Sequence, residues 1–181
     1  MPFVVIAAFA LAAITGNTGS STPSSSGAPL PAISASAPPQ ATAQAANCAK
    51  VLAALPVSLG KLTPRVVHTK PDTPNVVAWG DPAVVLSCGA GRPKDLVPGS
   101  SAKFVVAGPA AGPWYDVTTA GGGDVFTTVD RAAYISISVP AKYPVVNVMP
   151  PLSDAIAKAL PAVCDGSGTA ADPDDLCTRR K

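Results

Sequence analysis

Glutamate is absent from this chain of 181 residues, and histidine occurs once, at His68. Those two absences remove the commonest acid–base pairs and most zinc sites. Charge is scarce: 13% of the residues are charged, and the formal net charge is +2. That excludes a coiled coil and a basic nucleic-acid-binding surface, and it leaves only weak electrostatic steering of any partner. Aromatic residues make up 5% of a chain that is 48% hydrophobic, so alanine carries much of the apolar count. No apolar run reaches the length of a membrane-spanning helix. No G-x-S-x-G, phosphate-loop or C-x-x-C pattern is present.

The first charged side chain is Lys50. Within the uncharged stretch before it, residues 3–14 (FVVIAAFALAAI) form an apolar run of 12, the length of a signal-peptide core. Residues 1–16 are therefore expected to be a signal peptide or, with more chain upstream, a membrane anchor. A-x-A patterns follow at Ala10-Leu11-Ala12, Ala35-Ser36-Ala37 and Ala43-Gln44-Ala45. Residues 17–46 are rich in Ser, Thr, Ala, Pro and Gln, with Leu30 and Ile33 as the larger apolar side chains. Such a segment buries too little surface to offset its ordering entropy and reads as a disordered tether. Cys48 has no small residue directly before it and lies far from the apolar run, so it is not a lipidation site.

Residues 47–163 read as the folded domain. Cys48, Val51, Leu52 and Leu55 mark one face of a short helix with Asn47 as N-cap and Pro56 as its stop. Strands are expected at Val76–Trp79, Ala83–Cys88, Lys103–Ala107, Trp114–Thr119 and Asp124–Val129. Gly80-Asp81-Pro82 supplies a turn, and Gly121-Gly122-Gly123 a hairpin tip. Ile135, Ile137 and Val139 alternate with Tyr134, Ser136 and Ser138, the pattern of a half-buried strand. A second helix is expected after Pro150-Pro151, with Leu152, Ile156, Leu160 and Val163 on one face. The predicted class is α+β: one small domain, an antiparallel sheet of about five or six short strands and two flanking helices.

Four cysteines behind an export signal imply an oxidising compartment and two disulfides, with three connectivities open. The favoured pairing is Cys48–Cys88, joining the first helix to the sheet, with Cys164–Cys177 closing a polar tail over residues 164–181. A catalytic thiol paired with His68 carries less weight, because no free cysteine or special surrounding is visible.

Trp79-Gly80-Asp81-Pro82 is the most distinctive local feature. An indole beside a carboxylate can wall a pocket for sugars or cations; the structural alternative is a core tryptophan and a turn aspartate. Asp130-Arg131, with Asp116 and Asp124 elsewhere, offers a fork for an anionic or polyol group; its alternative is a turn ion pair. Trp79, Asp81, Trp114, Arg131 and Tyr134 are the candidate binding residues. Asp172, Asp174 and Asp175 do not match a calcium loop. No metal or cofactor is implied. An aspartate-only hydrolase drawing on Asp81, Asp116 or Asp130, with Arg131 stabilising charge, is the catalytic alternative.

The early Cys48-Ala49 helix ending in Ala54-Leu55-Pro56, the block Trp79-Gly80-Asp81-Pro82-Ala83-Val84-Val85-Leu86-Ser87-Cys88-Gly89, then Arg92-Pro93, Phe126 to Arg131 and Tyr134 to Pro140 resemble a known group. It is a family of small exported actinobacterial proteins classed only as a domain of unknown function. The resemblance covers about residues 47–162. It implies an actinobacterial envelope setting and brings no activity or catalytic residues. Members carry a further cysteine that is missing here near Lys103-Phe104. The expected role is thus an exported, non-catalytic module that binds an envelope component or another protein. The alternatives are the hydrolase and a structural adaptor. No nucleic acid is expected as a partner, and any membrane contact would come through the N-terminal segment alone.

Overall fold

Alternation between buried and half-buried side chains organises the centre of the molecule. In β5 (Val84–Cys88), Val84, Leu86 and Cys88 are buried while Val85 and Ser87 are half-buried. The same pattern recurs in β9 (Ile135–Val139) through Ile135, Ile137 and Val139. These two strands pair antiparallel, with Leu86 opposite Ile137, so their apolar positions fall on one face.

The computed structural model describes residues 29–96, 103–108 and 112–163. The remaining elements are β1 (Ile33–Ser36), α1 (Ala45–Ala54), β2 (Pro64–Arg65), β3 (Val67–Lys70), β4 (Val76–Trp79), β6 (Lys103–Val106), β7 (Pro113–Thr118), β8 (Asp124–Thr128) and α2 (Val145–Ala159). Seven strands form one antiparallel sheet in the order β2-β4-β5-β9-β8-β7-β6. The chain leaves β5, crosses to the far edge, and returns as the meander β6 to β9. Both helices lie on one face. Cys48 and Val51 of α1, and Val148, Met149, Leu152 and Ile156 of α2, join Trp79, Leu86, Trp114, Phe126 and the β9 isoleucines in one core. On the opposite face Leu96, Tyr115 and Val129 form a small separate cluster.

The α+β class agrees with this architecture, but the sheet has seven strands rather than five or six, and a further parallel pair joins β1 to β3. The six strands expected from the sequence are β4 to β9, each within a residue of its expected limits. The missed strands, β1, β2 and β3, carry few large apolar side chains.

Ile33–Ser36 lies inside the segment whose composition reads as a tether, and this is where composition misleads most. Backbone hydrogen bonds hold that segment: Ile33 N donates to Val66 O (2.9 Å), Ala37 N to Lys70 O (3.3 Å) and Gln40 N to Gly89 O (2.9 Å). Asn75 Nδ2 adds a bond to Ala41 O at 2.9 Å. Main-chain pairing of this kind leaves almost no trace in residue type. Residues 1–28 and the tail from 164, including the Cys164–Cys177 pair and the aspartates at 172–175, lie outside the described residues. Among the described residues, no helix is long and apolar enough to cross a membrane.

Both helices start earlier than their sequences suggest. α1 begins at Ala45 with Gln44, not Asn47, in the cap position; the Asn47 amide instead donates to Gln44 Oε1 at 2.9 Å. α2 begins at Val145 and contains Pro150 and Pro151 instead of following them. Each proline deprives a carbonyl four residues back of its helical donor. Those carbonyls belong to Val146 and Asn147, which are exposed, so water can donate to them instead.

The Cys48–Cys88 disulfide is present, with Cα atoms 5.5 Å apart across a sequence separation of 40 residues. It ties α1 to the middle of the sheet. Closing a loop of that length stabilises the fold by about 4 kcal/mol through the entropy of the unfolded chain. Replacing both residues, Cys48→Ala with Cys88→Ala, should lower the unfolding free energy by about that amount in urea titrations. A loss below about 1 kcal/mol would show that the helix is held to the sheet by packing alone.

Candidate functional site

The sheet order keeps the candidate residues apart. Trp79 lies on β4 and Trp114 on β7, four strand spacings away, or roughly 19 Å at the usual interstrand distance. Both indoles are buried in the core. Trp79 Nε1 donates to Val57 O at 3.0 Å, which satisfies the ring's polar edge. Trp79 also contributes to a cavity of about 400 Å³ together with Leu55, Val57 and Arg65, but Asp81 does not reach it.

Asp81 belongs instead to a braced turn. Gly80 adopts φ +75°, a conformation that penalises any Cβ, and its N–H donates to Thr63 O at 2.9 Å. Arg65 spans the turn with three bonds: Nε to Pro31 O (2.6 Å), and Nη1 to both Gly80 O (3.1 Å) and Asp81 Oδ1 (2.8 Å). Lys142 Nζ donates to Asp81 O at 2.7 Å. The Trp-Gly-Asp-Pro sequence thus joins the N-terminal segment, β4 and the start of the α2 region at one corner.

Arg131 is buried, unlike the surface turn pair that its sequence position suggests. Its Nε lies 3.2 Å from Asp130 Oδ1, and its Nη1 donates to Leu160 O at 2.9 Å. Leu160 is the C-cap of α2, so the guanidinium satisfies an end carbonyl and complements the negative pole of the helix. Val163 N closes the same corner by donating to Asp130 O at 2.9 Å. Gly112 makes room for the carboxylate: a Cβ there would sit 1.8 Å from Asp130 Oδ2. Tyr134, half-buried, accepts the Gly89 and Ala90 N–H groups on its carbonyl, each at 3.0 Å.

The three aspartates weighed as an acid–base set do not converge either. Asp130 lies beside Gly112, four residues along β7 from Asp116, roughly 13 Å away at the usual rise of a strand. Asp81 is on the far half of the sheet. What the structure does bring together is a different group. In β7, Trp114, Asp116 and Thr118 point to the helix-covered face, and register places Lys103 opposite Asp116 and Asp124 opposite Thr118. Lys103, Asp116 and Asp124 line a cavity of about 540 Å³ between the sheet and the start of α2. Its walls are Val105, Phe126 and Met149, among others.

Asp116 is the unusual member. Its side chain is 2% exposed, and its Oδ2 takes an ion pair from the Lys103 ammonium. Oδ1 is buried and has no hydrogen-bond partner. Asp124 Oδ1 accepts the Thr118 hydroxyl at 2.8 Å. The Asp116 hydrogen bond, then the charges of Asp116 and Asp124, hold the Lys103 ammonium above the ordinary lysine range. Sequence reasoning noted Asp116 and Asp124 but missed Lys103. The signal was the two-residue alternation itself, which puts Asp116 on the same face as Trp114. Among the described residues, no group of three or more His, Cys or Asp side chains is placed to hold a metal ion.

Arg131→Ala should destabilise the protein by about 3 kcal/mol, because it removes the cation paired with the buried Asp130 and the donor to the Leu160 carbonyl. Asp81→Ala removes a carboxylate that is 64% exposed and leaves Arg65 bonded to Pro31 O and Gly80 O, so it should cost less than about 1 kcal/mol in the same urea titration. For Lys103, whose value is raised in the folded state, the pair's contribution holds at neutral pH and is lost only as alkaline pH passes the folded value. An NMR titration of its ammonium should end at higher pH than for free lysine, and Asp116→Asn should bring it back down.

No curated protein and no solved structure matches the chain. The family model described as "Protein of unknown function (DUF3515)" matches residues 1–164, and with that span of its length covered, the chain belongs to that family.

Proposed function

We propose that this protein is an exported, non-catalytic binding module of the cell envelope, and that its ligand site is the cavity between β6–β8 and the start of α2. The observation that carries the reading is Asp116 Oδ1, a buried acceptor without a donor at an apolar-walled cavity. A buried acceptor left unpaired costs about 1–3 kcal/mol, and a ligand that donates to it recovers that cost. A cavity of about 540 Å³ also falls in the usual range for small-molecule sites. Export is supported by the apolar run at residues 3–14 and by the Cys48–Cys88 disulfide, which suits an oxidising compartment. An actinobacterial envelope is the setting that the sequence resemblance implies.

A second reading, an adaptor for another protein, draws on the outer face of the sheet edge. There Phe104, Val106 and Val117 are exposed, and β6 ends the sheet among the described residues. Edge strands with apolar side chains pair readily with other chains.

A thermal-shift screen of the oxidised protein against muropeptides, envelope polysaccharides and lipid headgroups distinguishes the two. A ligand at 100 times its Kd should add about 2.7 kcal/mol. Filling the cavity with Val105→Trp should abolish that shift, whereas Asp81→Ala should leave it intact. A shift that survives Val105→Trp would place the ligand elsewhere, and no shift with any fragment would favour the adaptor.

A further inference from the structure

We infer that the cavity over β6–β8 selects a ligand with a cationic amine head on an apolar stem. The inference rests on the binding role proposed above and adds the chemistry of the ligand. Asp116 is the most deeply placed charged group of the lining, at 2% side-chain exposure, and only one of its oxygens is engaged by Lys103. The free oxygen of a carboxylate accepts and does not donate, so its missing partner is a donor. The lining holds two aspartates, Asp116 and Asp124, against one lysine. That leaves one net negative charge in a site walled by Val105, Phe126 and Met149. A carboxylate or phosphate ligand would meet that charge unfavourably. A divalent metal ion needs about six oxygen ligands, and the lining offers two carboxylates. An ammonium group answers both the charge and the orphaned acceptor, and the apolar walls suit the carbons behind it.

Lys103 has a defined place in this scheme. Its side chain is 64% exposed while that of Asp116 is 2% exposed, so the lysine head can turn out into water without burying its own charge. The lysine ammonium therefore acts as a resident competitor, held on Asp116 Oδ2 until a ligand ammonium approaches the same carboxylate. Removing it should help a cationic ligand, which is the opposite of what its loss would do in a site built for anions.

Calorimetry on the full, oxidised chain with hexylamine, hexanol and hexanoate tests this. Hexylamine should bind about tenfold more tightly than hexanol, with hexanoate weakest. Asp116→Asn, nearly the same shape, should erase the preference for the amine over the alcohol. Lys103→Ala should strengthen hexylamine binding by about fivefold and leave hexanol unchanged. Near-ultraviolet circular dichroism confirms that each variant keeps its packing, and the lysine variant alone still decides if Asp116→Asn does not fold. Preference for hexanoate, weaker amine binding by Lys103→Ala, or no effect of a folded Asp116→Asn would overturn the inference. Equal binding of amine and alcohol would overturn the charge selection while leaving the binding role standing. Binding of none of the three would remove both.

Discussion

The bond between Cys48 and Cys88 is the constraint on which most of this fold depends. Cys88 ends β5, and β5 stands between β4 on one side and β9 on the other. The chain contains only two tryptophans and four phenylalanines, so large side chains alone supply a modest core. Tying α1 to the centre of the sheet fixes one helix at the depth of Leu86 and Ile137, and α2 packs beside it with Met149, Leu152 and Ile156. Arg131 performs the complementary task at the end of α2, where it holds the Leu160 carbonyl to the β8–β9 corner. One helix is thus fixed covalently and the other electrostatically.

That division explains why the candidate cavity lies where it does. Around β5 and β9 the helix-covered face is wholly apolar, because two helices seal it. Towards β6 and β7 the cover runs out near the first turn of α2, and the same face begins to carry Lys103, Asp116 and Asp124. Phe126 and Met149 lie at the boundary between the two regimes. The cavity is the place where a sealed core meets a sheet edge, which is why it combines apolar walls with a charge that is almost fully withdrawn from water.

The fold was legible wherever side chains alternate. β4 to β9 follow from period-two patterns such as Ile135, Ile137 and Val139, and both helices follow from their apolar faces. Their ends were harder to read, since Pro150 and Pro151 sit inside α2 at the cost of two carbonyls open to solvent. β1 and β3 escaped notice because Ser34, Ser36, His68 and Lys70 meet through the backbone, and backbone bonding is nearly blind to residue type. Of the site, Asp116 and Asp124 were visible as residues but not as partners. Register across three strands brings Lys103 to them, and register is a property of the assembled sheet. Trp79, Asp81 and Arg131 stood out in the sequence for a different reason, as each secures a corner: a core indole, a braced turn and a helix end.

The parallel pair of β1 and β3 has a mechanical side. The segment leading from Pro31 into β1 continues through residues 37–44 to α1, and from Cys48 a covalent bridge passes directly into β5. A pull on the N-terminal side of the domain acts along the axis of β1, so the four register pairs from Ile33 to Ser36 are loaded together in shear instead of opening one by one. If they yield, the load reaches β5 through a sulfur–sulfur bond and bypasses the chain from residue 49 to 83. A domain suspended from its N-terminus would then hang by the middle of its sheet.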